Sequence, residues 1–260
     1  MKLSVIIIAK NAEDHIVDAI ESVKEVADEV IVVDNDSTDR TREIAEYLKA
    51  KVYTLEGLNF AKLRNLGLEK ARGDWVIYID TDERVTSELI SNIKYFGRLS
   101  AGQISNINNE IAAFKVKRKN FYFGNHEWPY IEKLERLFKR SVLNGWRGEL
   151  HESPEFTGRV AQIEGFLLHY THRNLSSMLQ KTIEWSKIEA ELRLKSGHSK
   201  MTWWRFFRVM LTAFFDSYVR QEGWRAGTIG IMESMYQAFS MFITYARLWE
   251  MQNVKDQNNK

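Results

Sequence analysis

Leu3–Ala9, Glu29–Val33 and Trp75–Ile79 are short runs rich in Val and Ile, the pattern of parallel strands buried on both faces. The segments between them carry helical periodicity instead. Ala12–Val26 places Ile16, Ile20 and Val23 on one face, Thr38–Leu48 does the same with Ile44, Ala45 and Leu48, and Phe60–Ala71 with Leu63, Leu66, Gly67 and Ala71. This βαβαβ alternation predicts a doubly wound α/β sheet. Ser100–Asn109 has no clear period and reads as an exposed connection. Beyond it, strands are expected at Ala112–Arg118, Lys133–Arg140 and Val160–His169, around a loop at Trp146–Glu155, and helices from Leu175 almost to the end.

Ligands of such sheets bind beyond the carboxyl ends of the strands. The polar residues there are Lys10-Asn11-Ala12-Glu13, Asp34-Asn35-Asp36-Ser37-Thr38-Asp39 and Asp80-Thr81-Asp82-Glu83. Alternate residues of an extended chain point the same way, so Asp80 and Asp82 can face one ligand. Two hard oxygen donors suit Mg²⁺ or Mn²⁺ shared with a substrate diphosphate. The plainer reading is a solvated turn in which Thr81, Thr86 and Ser87 begin a helix. No Gly-x-Gly-x-x-Gly or Walker-type loop follows any of these strands, so a standard dinucleotide fold and a P-loop are not supported. A diphosphate would then be neutralised by a metal on Asp82 with help from Lys62 and Arg64, unless those two merely form a solvated helix face.

Composition changes this picture little. The 260 residues, 44% of them hydrophobic, suffice for one large domain with an appendage. A net charge of +2 from 37 basic and 35 acidic side chains gives no global drive toward nucleic acid. The absence of cysteine excludes disulfides, thiolate metal sites and a thiol nucleophile. The apolar start is brief, β-branched and without a small-residue cleavage site, so it reads as a strand rather than a signal peptide, and the chain is expected in the cytoplasm.

Two segments resemble bacterial glycosyltransferases of family 2. Val5–Glu13 looks like that family's opening strand, and Val33–Thr41 like its Asp-Asp-Gly-Ser-Thr-Asp segment, with Asn35 and Asp36 standing in for the commoner Asp-Gly. Asp80-x-Asp82 sits where the family keeps its metal motif. Glu135–Arg140 and Gly148–Glu152 are similar to short lipopolysaccharide core β-1,4-glucosyltransferases. The resemblance implies a GT-A, Rossmann-like mixed sheet flanked by helices over residues 1–200, with a helical extension at 201–260. It implies an inverting, metal-dependent transfer from a nucleotide-diphosphate sugar, UDP-linked by preference, to a glycan or lipid-linked acceptor. Lys10, Asn11, Glu13, Asp34, Lys62, Arg64 and Asp80 then bind the donor. Asp82 and Asp80 hold the metal, with His151 as a further candidate. Glu152 is expected to be the catalytic base, with Glu149 as runner-up. His169 and His172, with Arg173, are candidates to line the diphosphate site, or ordinary strand-end residues. The rival readings are a sugar nucleotidyltransferase, which would want a glycine-rich first loop, and a noncatalytic membrane-associated scaffold.

The region from Trp203 to Arg220 mixes aromatics with arginines and is too short and too charged to span a bilayer. Its apolar partner is either an anionic membrane surface, as for an enzyme peripheral on the inner face of the plasma membrane, or protein, meaning the core of this chain or a second copy in a homodimer.

Overall fold

A computed structural model describes residues 1–57, 59–99, 111–148 and 152–257. Four parallel strands, β1 (Leu3–Ala9), β2 (Glu29–Asp34), β3 (Lys51–Thr54) and β4 (Trp75–Asp80), form one half of an eight-stranded sheet. The other half holds β5 (Glu83–Val85), β6 (Ile111–Tyr122), β7 (His126–Lys139) and β10 (Arg159–Tyr170), and the order is β3-β2-β1-β4-β7-β6-β10-β5. The sheet becomes mixed where β7 runs antiparallel to β4. The expected α/β mixed sheet with a helical C-terminal region is therefore what the chain forms.

The alternation of β1 decides what covers each face. Leu3, Val5, Ile7 and Ala9 pack with Ile16, Ala19, Ile20 and Val23 of α1 (Ile16–Val23), Ala45 of α2 (Thr41–Tyr47), and Leu89, Ile90 and Ile93 of α4 (Ser87–Leu99). Ile6 and Ile8 point the other way, toward Ala61 and Leu63 of α3 (Phe60–Lys70) and toward Tyr78 and Trp146. Each fully buried Ile or Val on these faces is worth about 1.5–3 kcal/mol. Helix α3 lies very close to the sheet at Gly67, where a Cβ would come within 2.4 Å of the Ile6 side chain. That close fit requires glycine and brings the preceding turn of α3, with Arg64, down onto the sheet.

Several expected boundaries shift. Helix α1 begins at Ile16 rather than Ala12, because residues 12–15 make a turn whose first amide donates to the Thr41 side chain at 2.7 Å. Strands β3 and β5 have no counterpart in the periodicity. The segment expected as a loop at Trp146–Glu155 instead contributes to an antiparallel pair, β8 (Leu143–Arg147) and β9 (Ser153–Phe156). The expected connection at Ser100–Asn109 lies outside the described residues.

Contacts divide the chain into two compact units, residues 1–119 with 132–169, and residues 120–131 with 170–260. In the second unit, α5 (Leu175–Lys195) packs on α7 (Gly227–Gln257). The core of the second unit includes Ala190, Met201, Tyr245 and Leu248, with Phe206 and Val209 of α6 (Trp203–Phe215) against it.

Candidate active site

The carboxyl ends of β2, β1 and β4 lie side by side. Ala9 pairs with Asp34, and Ile8 with Asp80, so the two acids sit two strand spacings apart, about 10 Å. The turns after β1 and β2 interlock. Asn11 donates its backbone N–H to Ser37 at 2.9 Å and accepts from the Thr38 amide at 2.8 Å, while Glu13 accepts from the Arg40 amide at 3.1 Å. Asn11 and Asp36 both take left-handed conformations, with φ of 46° and 52°. Asp36 thus adopts the backbone that the resembled motif gives to glycine, which Asp tolerates better than most residues. Asn35 accepts the Gly57 amide at 3.0 Å.

Asp34 is fully buried. Its Oδ2 accepts from the Ser37 amide at 3.0 Å and lies 3.6 Å from the Arg42 guanidinium, whereas Oδ1 meets no hydrogen-bond donor among the described residues. A buried carboxylate oxygen left without a partner costs on the order of 1–3 kcal/mol, so this acceptor is a place for a ligand's donor.

Asp80 lies between two buried arginines. Arg64 donates to Oδ1 at 3.2 Å and Arg136 to Oδ2 at 3.0 Å. Arg136 also bonds the fully buried Glu83 at 3.0 Å, and Arg118 joins Glu83 at 3.0 Å and Glu132 at 2.6 Å. Glu83 folds back to accept the Asp80 amide at 3.0 Å. Burial alone would raise the Asp80 carboxyl, but Arg136 and then Arg64 hold it well below the usual carboxylate range. For Arg136, burial is likewise outweighed by Glu83 and Asp80, which push its pKa up.

Arg64 also bridges to Glu152, its Nε donating at 2.8 Å. The guanidinium stacks on Trp146 and Tyr78, 4.8 and 5.5 Å from the ring centroids, the planar packing that lysine cannot reproduce. Its neighbour Asn65 clamps β8 through both amide atoms, accepting from the Trp146 N–H at 2.8 Å and donating to the Trp146 carbonyl at 3.1 Å. Gly145, at φ 138°, makes room for that clamp, since a Cβ there would meet Asn65 at 2.9 Å. Two adjacent residues of one helix thereby hold Glu152 and Asp80 together. Lys62, two positions earlier, is exposed, and so is Lys10.

Asp82 takes a different partner from Asp80. Its Oδ2 lies 3.4 Å from Nε2 of His169 on β10, beside the β5 pairing of Glu83 with His169. Among the described residues no group of three or more His, Asp or Glu side chains is arranged to hold a metal. The Asp82 carboxylate suits a hard cation that takes only one or two protein oxygens and fills its shell with water and phosphate oxygens. His172 belongs to the second unit, where Nδ1 meets both oxygens of buried Glu233 at 2.9 and 3.0 Å. Glu149 and His151 lie outside the described residues.

Sequence reasoning placed Glu83 at the rim and Arg136 within the Glu135–Arg140 segment without giving either a role, and missed Arg118 and Glu132 altogether. The one available signal was Arg136 itself, a charge followed directly by Leu137 and Phe138, both fully buried.

An uncharacterised glycosyltransferase of Rickettsia typhi is 30% identical over 269 residues, covering 99% of this chain and 89% of the relative. A lipopolysaccharide core biosynthesis glycosyltransferase, LpsC of Rhizobium meliloti, is 26% identical over 272 residues, covering 100% and 96%. Among solved structures, S. aureus TarS 1–349 in complex with UDP-GlcNAc is similar at a TM-score of 0.45 and 13% identity, covering 98% of this chain and 92% of that one. Residues 4–143, more than half of the chain, match the model of Glycosyl transferase family 2, and the chain belongs to that family.

Proposed function

We propose that the chain is an inverting, GT-A-type glycosyltransferase. It moves a sugar from a nucleotide-diphosphate sugar, UDP-linked in the first instance, to a glycan or lipid-linked acceptor of the bacterial surface. Family membership supplies the reaction class, and likeness to a lipopolysaccharide core enzyme supports the glycan class. The observation that carries the reading is that the carboxyl ends of β2 and β4 carry a buried carboxylate oxygen with no hydrogen-bond donor among the described residues and an arginine joining Asp80 to Glu152. In this reading residues 1–200 carry the chemistry and 201–260 attach the enzyme to the inner face of the plasma membrane.

Asp34 Oδ1 accepts a donor group of the base or ribose. Asp80, kept ionised by its arginines, accepts a ribose hydroxyl or a metal-bound water, with Lys10, Asn11 and Glu13 lining the same rim. Asp82, with His169 beside it, would hold Mg²⁺ or Mn²⁺, and Asp80 is the second candidate ligand. When bound, the cation supplies Lewis-acid stabilisation of the leaving diphosphate. Arg64 adds positive charge on the same side. Glu152, which accepts from Arg64 Nε at 2.8 Å, takes the proton of the acceptor hydroxyl as that oxygen bonds to the anomeric carbon. The bond to the diphosphate breaks with its electron pair leaving on the phosphate oxygen. Glu149 remains the alternative base, and His151 an additional metal or diphosphate contact.

Calorimetry with UDP and Mn²⁺ tests the donor side. Binding is expected to require the metal and to disappear in Asp82→Ala, and equal affinity without metal would overturn the assignment. In the same preparation Glu152→Gln should bind UDP normally while transfer falls by about 10²–10⁴-fold. Transfer at the unaltered rate moves the base to Glu149.

A further inference from the structure

Helix α6 turns its apolar residues outward. Trp203, Trp204, Phe207, Leu211 and Phe215 recur at helical spacing on one face and are 45–77% exposed, and no residue of the helix is buried. The opposite side, with Phe206 and Val209, packs on the core of the second unit, so the helix already has its protein partner and still presents a full apolar face. Such faces on a soluble chain mark an interaction surface.

Charge says what covers it. The helix carries Arg205 and Arg208 and not one carboxylate. Arg205 and Arg208 lie 5.5 and 5.4 Å from the Trp204 ring centroid, which sets their charges beside the apolar face. A symmetric contact between two copies would oppose these cations to one another, whereas an anionic bilayer neutralises them. Tryptophan and arginine together favour the headgroup level, where a ring is half buried and a guanidinium meets phosphate. No helix of the described residues is long and apolar enough to cross a membrane.

We infer that the outward face of α6 lies flat in the headgroup region of an anionic lipid bilayer. This deepens the peripheral placement proposed above, yet it is read by lipid binding alone and stands or falls apart from sugar transfer.

The test is flotation of the full chain with vesicles of phosphatidylcholine alone and of phosphatidylcholine mixed with phosphatidylglycerol. The chain is expected to float with the anionic vesicles and to be released by salt. The double variant Arg205→Gln/Arg208→Gln should weaken that partition by roughly 25-fold, at about fivefold per charge. Phe207→Ser/Leu211→Ser should abolish it, with the far-ultraviolet circular dichroism and UDP binding of the parent. Failure of the parent chain to float overturns the inference, as does binding indifferent to salt and lipid charge. Self-association of the chain without lipid, lost in Phe207→Ser/Leu211→Ser, would assign the face to a second copy instead.

Discussion

The carboxyl edge of the sheet at the end of β4 and the outer face of α6 invert the usual arrangement in opposite senses. At the first, Arg64, Arg136 and Glu83 are buried charges. At the second, tryptophans and phenylalanines stand in solvent. The first is tolerable because almost every charge is answered. Asp80, Glu83, Glu132 and Glu152 meet Arg64, Arg118 and Arg136 in one continuous chain of bonds between 2.6 and 3.2 Å, and a buried ion survives only when paired and hydrogen-bonded. The second is tolerable because exposure of an apolar side chain costs no unmet hydrogen bond, only the burial it forgoes. A polar network inside therefore holds one geometry, and an apolar face outside waits for a partner.

That contrast can be broken most forcefully at Arg136. Arg136→Met leaves Glu83 and Asp80 without their common cation, and removal of one partner of a buried pair costs about 3–5 kcal/mol. The midpoint of urea denaturation should fall accordingly. A loss below 1 kcal/mol would mean that Arg118 and Arg64 suffice and that the network is redundant.

Acid should weaken the same edge. The folded Asp80 carboxyl titrates below its unfolded value of about 3.9, so its contribution is complete above that value and is lost as pH falls through the lowered folded one. Stability should thus decline below about pH 4, and Arg136→Met should flatten that part of the urea-midpoint profile relative to the parent chain. Parallel profiles would place the acid sensitivity elsewhere, for instance at Asp39, whose carboxyl is also lowered: its bonds to Thr41 and the Glu13 amide outweigh burial, which raises it.

The smallest effect is expected on the outer face. Leu211→Ser should change stability by no more than about 0.5 kcal/mol, as surface substitutions do. A loss several times larger would show that the face is packed by protein in solution, and the contrast with the sheet edge would collapse.

The strands of the first half were legible because burial on both faces makes a strand an unbroken apolar run. β1 spans the expected residues, and β2 and β4 each extend one further, to Asp34 and Asp80. β3 and β5 escaped notice because they are short, and β5, paired with β10, draws its support from residues 82 to 86 positions away. The β8–β9 pair was read as a loop because Gly145, Gly148 and Pro154 punctuate it, and its anchorage on Asn65 has no local signature. The candidate site divides in the same way. Asp34, Asp80 and Asp82 are visible as acids ending apolar runs, and Arg64 as a cation on the next helix. Lys62 carries the same charge two residues away and is left in solvent, because a step of two positions on a helix turns a side chain most of the way to the opposite face.

The sequence by itself determined the family, the parallel strands, and the rim on which the carboxylates collect, since those depend on local periodicity and on what can follow a buried strand. Only the tertiary structure decided which charges meet. Arg64 and Arg136 come to Asp80 from 16 and 56 positions away, and Glu152 reaches Arg64 across 88. Pairing of that kind depends on desolvation and on distances of about 3 Å, which the folded sheet creates and no local pattern encodes.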